Sequence, residues 1–439
     1  MGNIKRHDLA LLMFALGLFS QTHVHLIGSI AITELLMFVI APMVYLSNAK
    51  IFRRERCGTF LFLLGLSIVG CLLSSWYNHI DWTRTLKGVA TPYGFWASFV
   101  VFYLLLRRDP HAFKWYLLAE AISFVMCTFV FQQAYDLSES MSRGGGAEAI
   151  MSGPIYWIGR IGGFVTWPVR GLYMHVPALA SVVATLFMGF FSILTTTSGR
   201  SSALISLASA AMIIYAGRNV TKMRAIRKHF VACCIVAVVF VGLFKTAYSY
   251  SARTGLLGED AKAKYESQTR GGTSVLQLLK GGRGEMFMGL YYCCRRPIMG
   301  YGPWAYDEDF VCLDYIAKYG LPEDYADSYD SRMRALAAGK KPLVGAHSAC
   351  LQFWLMSGIL GMPIWLYIAY LIYDYFRRRI GAVPQFFGYF ACVLPGLAWS
   401  IFFSPFGGRL GWGFMFAMLL INREMSRFEL RASSFNRRG

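Results

Sequence analysis

The chain has 439 residues, of which 56% are hydrophobic and only 15% charged, and its formal net charge is +19. A soluble domain carries about a quarter charged residues, so the composition argues against two or three soluble domains and for repeated apolar runs bounded by Lys and Arg. The excess charge points away from nucleic acid by its position. Residues 248–346 hold 13 basic and 12 acidic side chains, so nearly all of the excess lies elsewhere, largely in short clusters at 50–56, 107–114, 218–229, 377–379 and 423–438. Lys and Arg resist translocation, so such clusters between apolar runs mark cytoplasmic connections.

A spanning helix needs about 20 mostly apolar residues. In chain order the sequence predicts twelve, at 8–20, 26–47, 58–76, 89–106, 115–132, 153–168, 172–194, 200–217, 230–246, 348–373, 385–403 and 409–421. The first is read as a retained helix, because no small-residue cleavage site follows it. The segment 153–168 is broken by glycines and contains Arg160, yet the topology requires it. With Lys5 and Arg6 inside, twelve crossings put every basic cluster inside, whereas eleven would force 218–229 outside.

The expected architecture is an all-α polytopic membrane protein with about twelve transmembrane helices. Residues 1–247 supply nine helices with the N-terminus cytoplasmic, 248–346 form one large outer loop, 347–422 supply three more helices, and 423–439 form a basic cytoplasmic tail. The outer loop is too charged to span. Its turn signals (Gly271-Gly272, Gly281-Gly282) alternate with helix-like patches such as 285–294, so a small, mostly helical cap is expected there.

Six of the ten cysteines lie in or beside apolar segments, where a small hydrophobe is the plain reading. Cys293, Cys294, Cys312 and Cys350 lie in or next to the outer loop, in a position to oxidise, and no metal-like CxxC occurs. No GxxxxGK[ST], HExxH or GxSxG is present, which leaves ATP-driven transport, zinc hydrolysis and a nucleophile-elbow esterase without support. Asp307-Glu308-Asp309 matches a metal-and-nucleotide-sugar DxD in form but reads better as a solvated acidic face.

Three outward features carry chemistry. Arg200 opens an apolar helix within Thr195-Thr196-Thr197-Ser198-Gly199-Arg200-Ser201-Ser202. An arginine there opposes the macrodipole; it either joins the backbone N–H groups in gripping an anion such as phosphate or snorkels to the interface. Arg283 sits among glycines in Gly281-Gly282-Arg283-Gly284-Glu285, which permits close approach to a bulky ligand or a simple pair with Glu285. His347 stands at the entry of an apolar helix in Gly345-Ala346-His347-Ser348-Ala349-Cys350, suited to take a proton from a sugar hydroxyl near neutral pH or to cap that helix.

Together, TSGRSSALISL, GGRGEMFMGLYYCCRRPIMGYGP and GAHSACLQFWLMSGILG, in this order, resemble the signature set of the O-antigen ligase and O-antigen polymerase superfamily over roughly residues 170–420. The resemblance implies a GT-C-like fold in a bacterial inner membrane. It also implies transfer of O-antigen from undecaprenyl diphosphate to the lipid A core oligosaccharide at the periplasmic face. It maps the loop arginine on Arg283, the helix-start arginine on Arg200 and the histidine on His347; family members often carry Asn where this chain has Ser348. A glycosyl diphosphate is already activated, so the expected mechanism needs no cofactor or metal. His347 deprotonates the acceptor hydroxyl, while Arg200 and Arg283, with Arg160 as a third candidate, neutralise the leaving diphosphate. An O-antigen polymerase using the same donor, and a lipid-linked glycan transporter or flippase, are the alternatives.

Overall fold

The computed structural model describes residues 5–25, 29–55, 57–127, 200–216, 219–258, 284–304, 310–319, 322–337, 348–404 and 408–435, with a few single positions between them. The chain begins with α1 (Arg6–Leu18) and a short antiparallel hairpin, β1 (His23–His25) and β2 (Ser29–Ala31), paired Val24 to Ile30. Then come α2 (Ile32–Arg54), α3 (Gly58–Tyr77), α4 (Trp82–Arg108) and α5 (Phe113–Val125). After the undescribed stretch follow α6 (Arg200–Ala216), α7 (Val220–Lys228) and α8 (Phe230–Arg253). The segment 284–337 supplies α9 (Gly284–Arg295), α10 (Val311–Tyr319) and α11 (Pro322–Ala337). The chain closes with α12 (Ala349–Ser357), α13 (Pro363–Asp374), α14 (Phe387–Phe403) and α15 (Arg409–Phe435).

The protein is thus mostly helical, and α2, α3, α4 and α8 are each long and apolar enough to cross a membrane. The predicted spans at 153–168 and 172–194, and with them the count of twelve, lie outside the described residues.

Several boundaries differ from expectation for identifiable reasons. The hairpin occupies the start of the predicted 26–47 span, so α2 begins at Ile32; it runs on to Arg54 through Pro42 and a break at Asn48. Helix α4 begins at Trp82 instead of 89 because Asp81 caps it, its carboxylate accepting the Arg84 N–H at 3.0 Å. Helix α15 does not stop at 421 but carries the basic residues after it through to Phe435.

The largest departure is at 348–373, expected as one helix. Helix α12 passes into a 3₁₀ turn at Gly358–Gly361 and the chain then bends by 110° into α13, with Pro363 at the first turn of the new helix. Nine α-helical residues rise only about 14 Å, so α12 by itself is too short to cross a bilayer.

Helix α4 is the central column, packed on α2, α3 and α15. Apolar burial drives little association between helices in lipid; close packing does. Here that packing is aromatic. Phe95 of α4 lies 5.6 Å from each of Phe60, Phe406 and Phe416, and Trp365 meets Phe353, Phe406 and Trp412 at 5.0–5.5 Å.

The bundle has two chemically distinct ends. At one end the basic clusters meet: Arg107 pairs with Glu55 at 2.5 Å, Phe113 packs on Phe386, Arg227 donates to Arg378 O, and Arg379 donates to Arg423 O. Buried Asp374 sits among Arg378, Arg379 and Arg423 there. At the other end Arg296 donates to Asn78 Oδ1 at 2.8 Å, and Asn78 donates to Gly300 O at 3.2 Å, which ties the segment after α9 to the α3–α4 turn. Exposed Trp76, Tyr77, Trp82 and Trp304 belong to this second end, as expected of side chains that favour a membrane–water interface.

Candidate functional site

Of the residues singled out in the sequence, Arg200 is the first residue of α6, whereas Arg160, Arg283 and His347 lie outside the described residues. The helices that follow Arg283 and His347 in the chain are described, and they pack on each other. A Cβ on Gly289 of α9 would meet Ala346 Cβ at 3.1 Å and Leu351 Cδ1 at 3.6 Å. Further on, Cys293 Sγ lies 3.8 Å from Leu351 O, the Trp354 indole N–H donates to Pro297 O at 2.8 Å, and the Ile359 N–H donates to Ile298 O at 3.1 Å. Contacts that advance together on both segments mean that α9 and α12 run parallel, with their N-termini at the same end.

Helix α12 is fixed at that end by Ser348. Its hydroxyl donates to Ile401 O of α14 at 2.9 Å and accepts the Leu351 N–H at 3.3 Å, so Ser348 is the N-cap of α12. The capping role open to His347 in the sequence is therefore filled by its neighbour Ser348. Gln352 adds a second tie, accepting the Phe406 N–H at 2.8 Å.

Helix α14 connects this corner to α6. A Cβ on Gly396 would lie 3.7 Å from Ile205, while beyond the other end of α6 the Val220 carbonyl lies 3.6 Å from a Cβ built on Gly381, shortly before α14 begins. The two helices are thus antiparallel, and Ile205 and Gly396 stand equally far from Arg200 and Ile401. Arg200 therefore begins α6 at the level where Ser348 docks. Three helix N-termini, those of α6, α9 and α12, open toward one end of the bundle. Each helix N-terminus carries a partial positive charge.

The glycine-rich run after α9 has a different use from ligand approach. Residues 297–303 dip into the bundle, where Tyr301 N–H donates to Leu355 O at 2.7 Å and Pro303 presses on Gly88 of α4. Non-helical backbone is tolerated where protein surrounds it, and Gly300, Tyr301, Gly302 and Pro303 are all buried. Gly300 has φ +67° and would place a Cβ against the carbonyls of Leu355 and Trp354.

Asp307 corrects the reading of the acidic run as a solvated face. It is 2% exposed, its Oδ1 accepts the Val311 N–H at 2.8 Å at the start of α10, and it pairs with Arg332 of α11. With both oxygens engaged, it offers nothing to a nucleotide-sugar metal. Alanine at Arg332 strands that buried carboxylate. Breaking a buried pair costs about 3–5 kcal/mol, and since the Arg332 side chain keeps 14% of its surface exposed beside the fully buried carboxylate, the lower part of that range is expected. Thermal unfolding in detergent should show a clear fall in midpoint, with Arg332→Lys intermediate; an unchanged midpoint for Arg332→Ala would contradict the pairing.

Asn78, Ser348 and Asp81 were not legible as anchors of the site in the sequence. Asn78 follows Trp76-Tyr77 directly at the end of an apolar run, a position that signals a helix C-terminus but not its long-range partner. Compared with family models, curated proteins and solved structures, the chain finds no match in any of the three.

Proposed function

We propose that this chain is a lipid-linked glycan transferase of the O-antigen ligase kind. In this reading it is a metal-independent inverting glycosyltransferase, moving a glycan from undecaprenyl diphosphate to lipid A core oligosaccharide on the periplasmic face of the inner membrane. The observation that carries the reading is the shared orientation of α6, α9 and α12. Arg200 begins the first, Arg283 directly precedes the second, and His347 precedes the capping serine of the third. Helix N-termini favour anions, so the positive ends of three helices and two guanidinium groups suit a diphosphate leaving group. Donors aimed at charge that develops in the transition state are worth about 3–4 kcal/mol each. His347 serves as general base toward the acceptor hydroxyl, which attacks the anomeric carbon with inversion; Arg160 is a third cation for the diphosphate.

The gathering of basic clusters at the opposite end supports the outward orientation of this site by the positive-inside principle. A single dominant outer loop favours ligase over polymerase. The transporter reading asks for an ionisable group at depth. Glu34 is buried in the first turn of α2, where Arg409 holds it at 2.5 Å, and buried Glu120 of α5 accepts the Tyr116 hydroxyl at 3.4 Å, which gives both a structural use.

Transfer from a synthetic undecaprenyl diphosphate glycan to purified rough lipopolysaccharide tests the proposal. A lipid A core product is expected; an undecaprenyl-linked product identifies a polymerase, and uptake into liposomes without product identifies a transporter. Transfer is also expected to persist in EDTA. Loss on chelation that Mg²⁺ or Mn²⁺ restores would refute the metal-free mechanism.

A further inference from the structure

All ten cysteines are free thiols in this structure, but two of them occupy matching positions on the α9–α12 contact. That contact is bracketed by Gly289 against Ala346 on one side and by Pro297 against Trp354 on the other. Both pairs have the same offset along the chain. The residues midway between them at that offset are Cys293, four after Gly289 and four before Pro297, and Cys350, four after Ala346 and four before Trp354. Residues four apart on a helix share a face, so Cys350 lies on the stripe of α12 that reaches Pro297 through Trp354. The Cys293 sulfur already touches α12, lying 3.8 Å from the carbonyl of Leu351, the residue after Cys350. A disulfide needs Cβ atoms about 3.5–4.5 Å apart, a spacing within reach of two segments on which a Cβ built at Gly289 would lie 3.1 Å from Ala346 Cβ, four residues before each cysteine.

The other loop cysteines are placed differently. Cys294 is exposed, one residue round the helix from Cys293, and Cys312 lies on α10 with its sulfur 3.1 Å from Met288 Sδ.

We propose that Cys293 and Cys350 are a disulfide-forming pair which, when oxidised, staples α9 to α12 and so ties the segment after Arg283 to the segment after His347. A disulfide compound such as oxidised glutathione is the oxidant. The thiolate of one cysteine attacks it and releases one reduced glutathione, and the second cysteine then displaces the other from the mixed disulfide. The two cysteines lose two electrons and two protons in all, and one oxidised glutathione becomes two reduced ones. Burial pushes the Cys293 thiol well above the ordinary range, which disfavours the attacking thiolate in the closed fold. Oxidation therefore runs during folding or through transient opening of the α9–α12 contact.

The full-length protein, reduced in detergent, desalted and exposed to oxidised glutathione, tests this without any substitution. After remaining thiols are blocked and the chain is digested, mass spectrometry should find the Cys293 peptide joined to the Cys350 peptide and released by dithiothreitol. The oxidised protein should also unfold at higher temperature, with the rise reversed on reduction. Cys294→Ser should leave the cross-link intact, and Cys350→Ser should return Cys293 to the alkylated pool. Cross-links from Cys293 to Cys294 or Cys312, or both thiols still alkylated after refolding in a glutathione redox buffer, would overturn the pair. The readout is independent of transfer activity, so it stands apart from the glycosyltransferase proposal.

Discussion

His347→Ala is expected to lower glycan transfer by about 10²–10⁴-fold, the usual contribution of a positioned general base. The variant is expected to fold, because the N-cap bond of α12 and its tie to Ile401 belong to Ser348 and not to the histidine. Equal thermal midpoints with unequal turnover would separate chemistry from stability. Arg283→Ala is the companion experiment: loss of one electrostatic donor at the leaving group is worth about 10²–10³-fold in turnover, again without a large change in folding. Purified His347→Ala with near-wild-type turnover on a defined acceptor would remove the general-base assignment, whatever the arginine variants do.

Gly358→Ala is expected to damage the fold itself. Gly358 has φ +60° and ψ −157°, a region open essentially to glycine and costing other residues about 1–3 kcal/mol. A Cβ there would also collide with the carbonyl of Ile298, and overpacking adds about 1–3 kcal/mol. The sum is a large part of the marginal stability of a typical domain, so poor accumulation or a strongly lowered unfolding midpoint in detergent is expected. Gly411→Ala is the control, since a Cβ on that helical glycine of α15 meets nothing within 4 Å. Its midpoint should stay level or rise slightly. Equal midpoints for Gly358→Ala and the wild type would mean that the Gly358–Ile298 approach is not part of the stable fold.

Hydropathy alone located the interiors of α2, α3, α4, α8 and α14, because about 20 apolar residues in a row leave the chain few other conformations. It failed at the edges, where local polar chemistry decides. Asp81 starts α4 a full two turns before the apolar run seems to begin, and a hairpin occupies residues that look as apolar as a helix. Within 348–373 the Gly358, Gly361 and Pro363 breakers are present but masked by the apolar residues around them, and the carbonyl that packs on Gly358 and accepts the Ile359 N–H belongs to Ile298, far away in the chain. The opposite error occurred at Asp307. A cluster of acids reads as solvated unless one knows that α10 begins four residues later and that Arg332 reaches back. For the candidate site, motif order identified Arg200, Arg283 and His347, but not the parallel run of α9 and α12 or the antiparallel run of α6 and α14, since no local pattern records which helices are neighbours.

The dip of residues 297–303 beside the end of α12 also constrains how the protein is assembled. The Tyr301 N–H donates to Leu355 O and the Ile298 carbonyl accepts the Ile359 N–H, so these backbone groups gain their partners only once residues 355 and 359 have been made. The burial of residues 300–303 against the end of α12, beside the 110° bend, therefore belongs to a late step of folding, after the chain has passed residue 355.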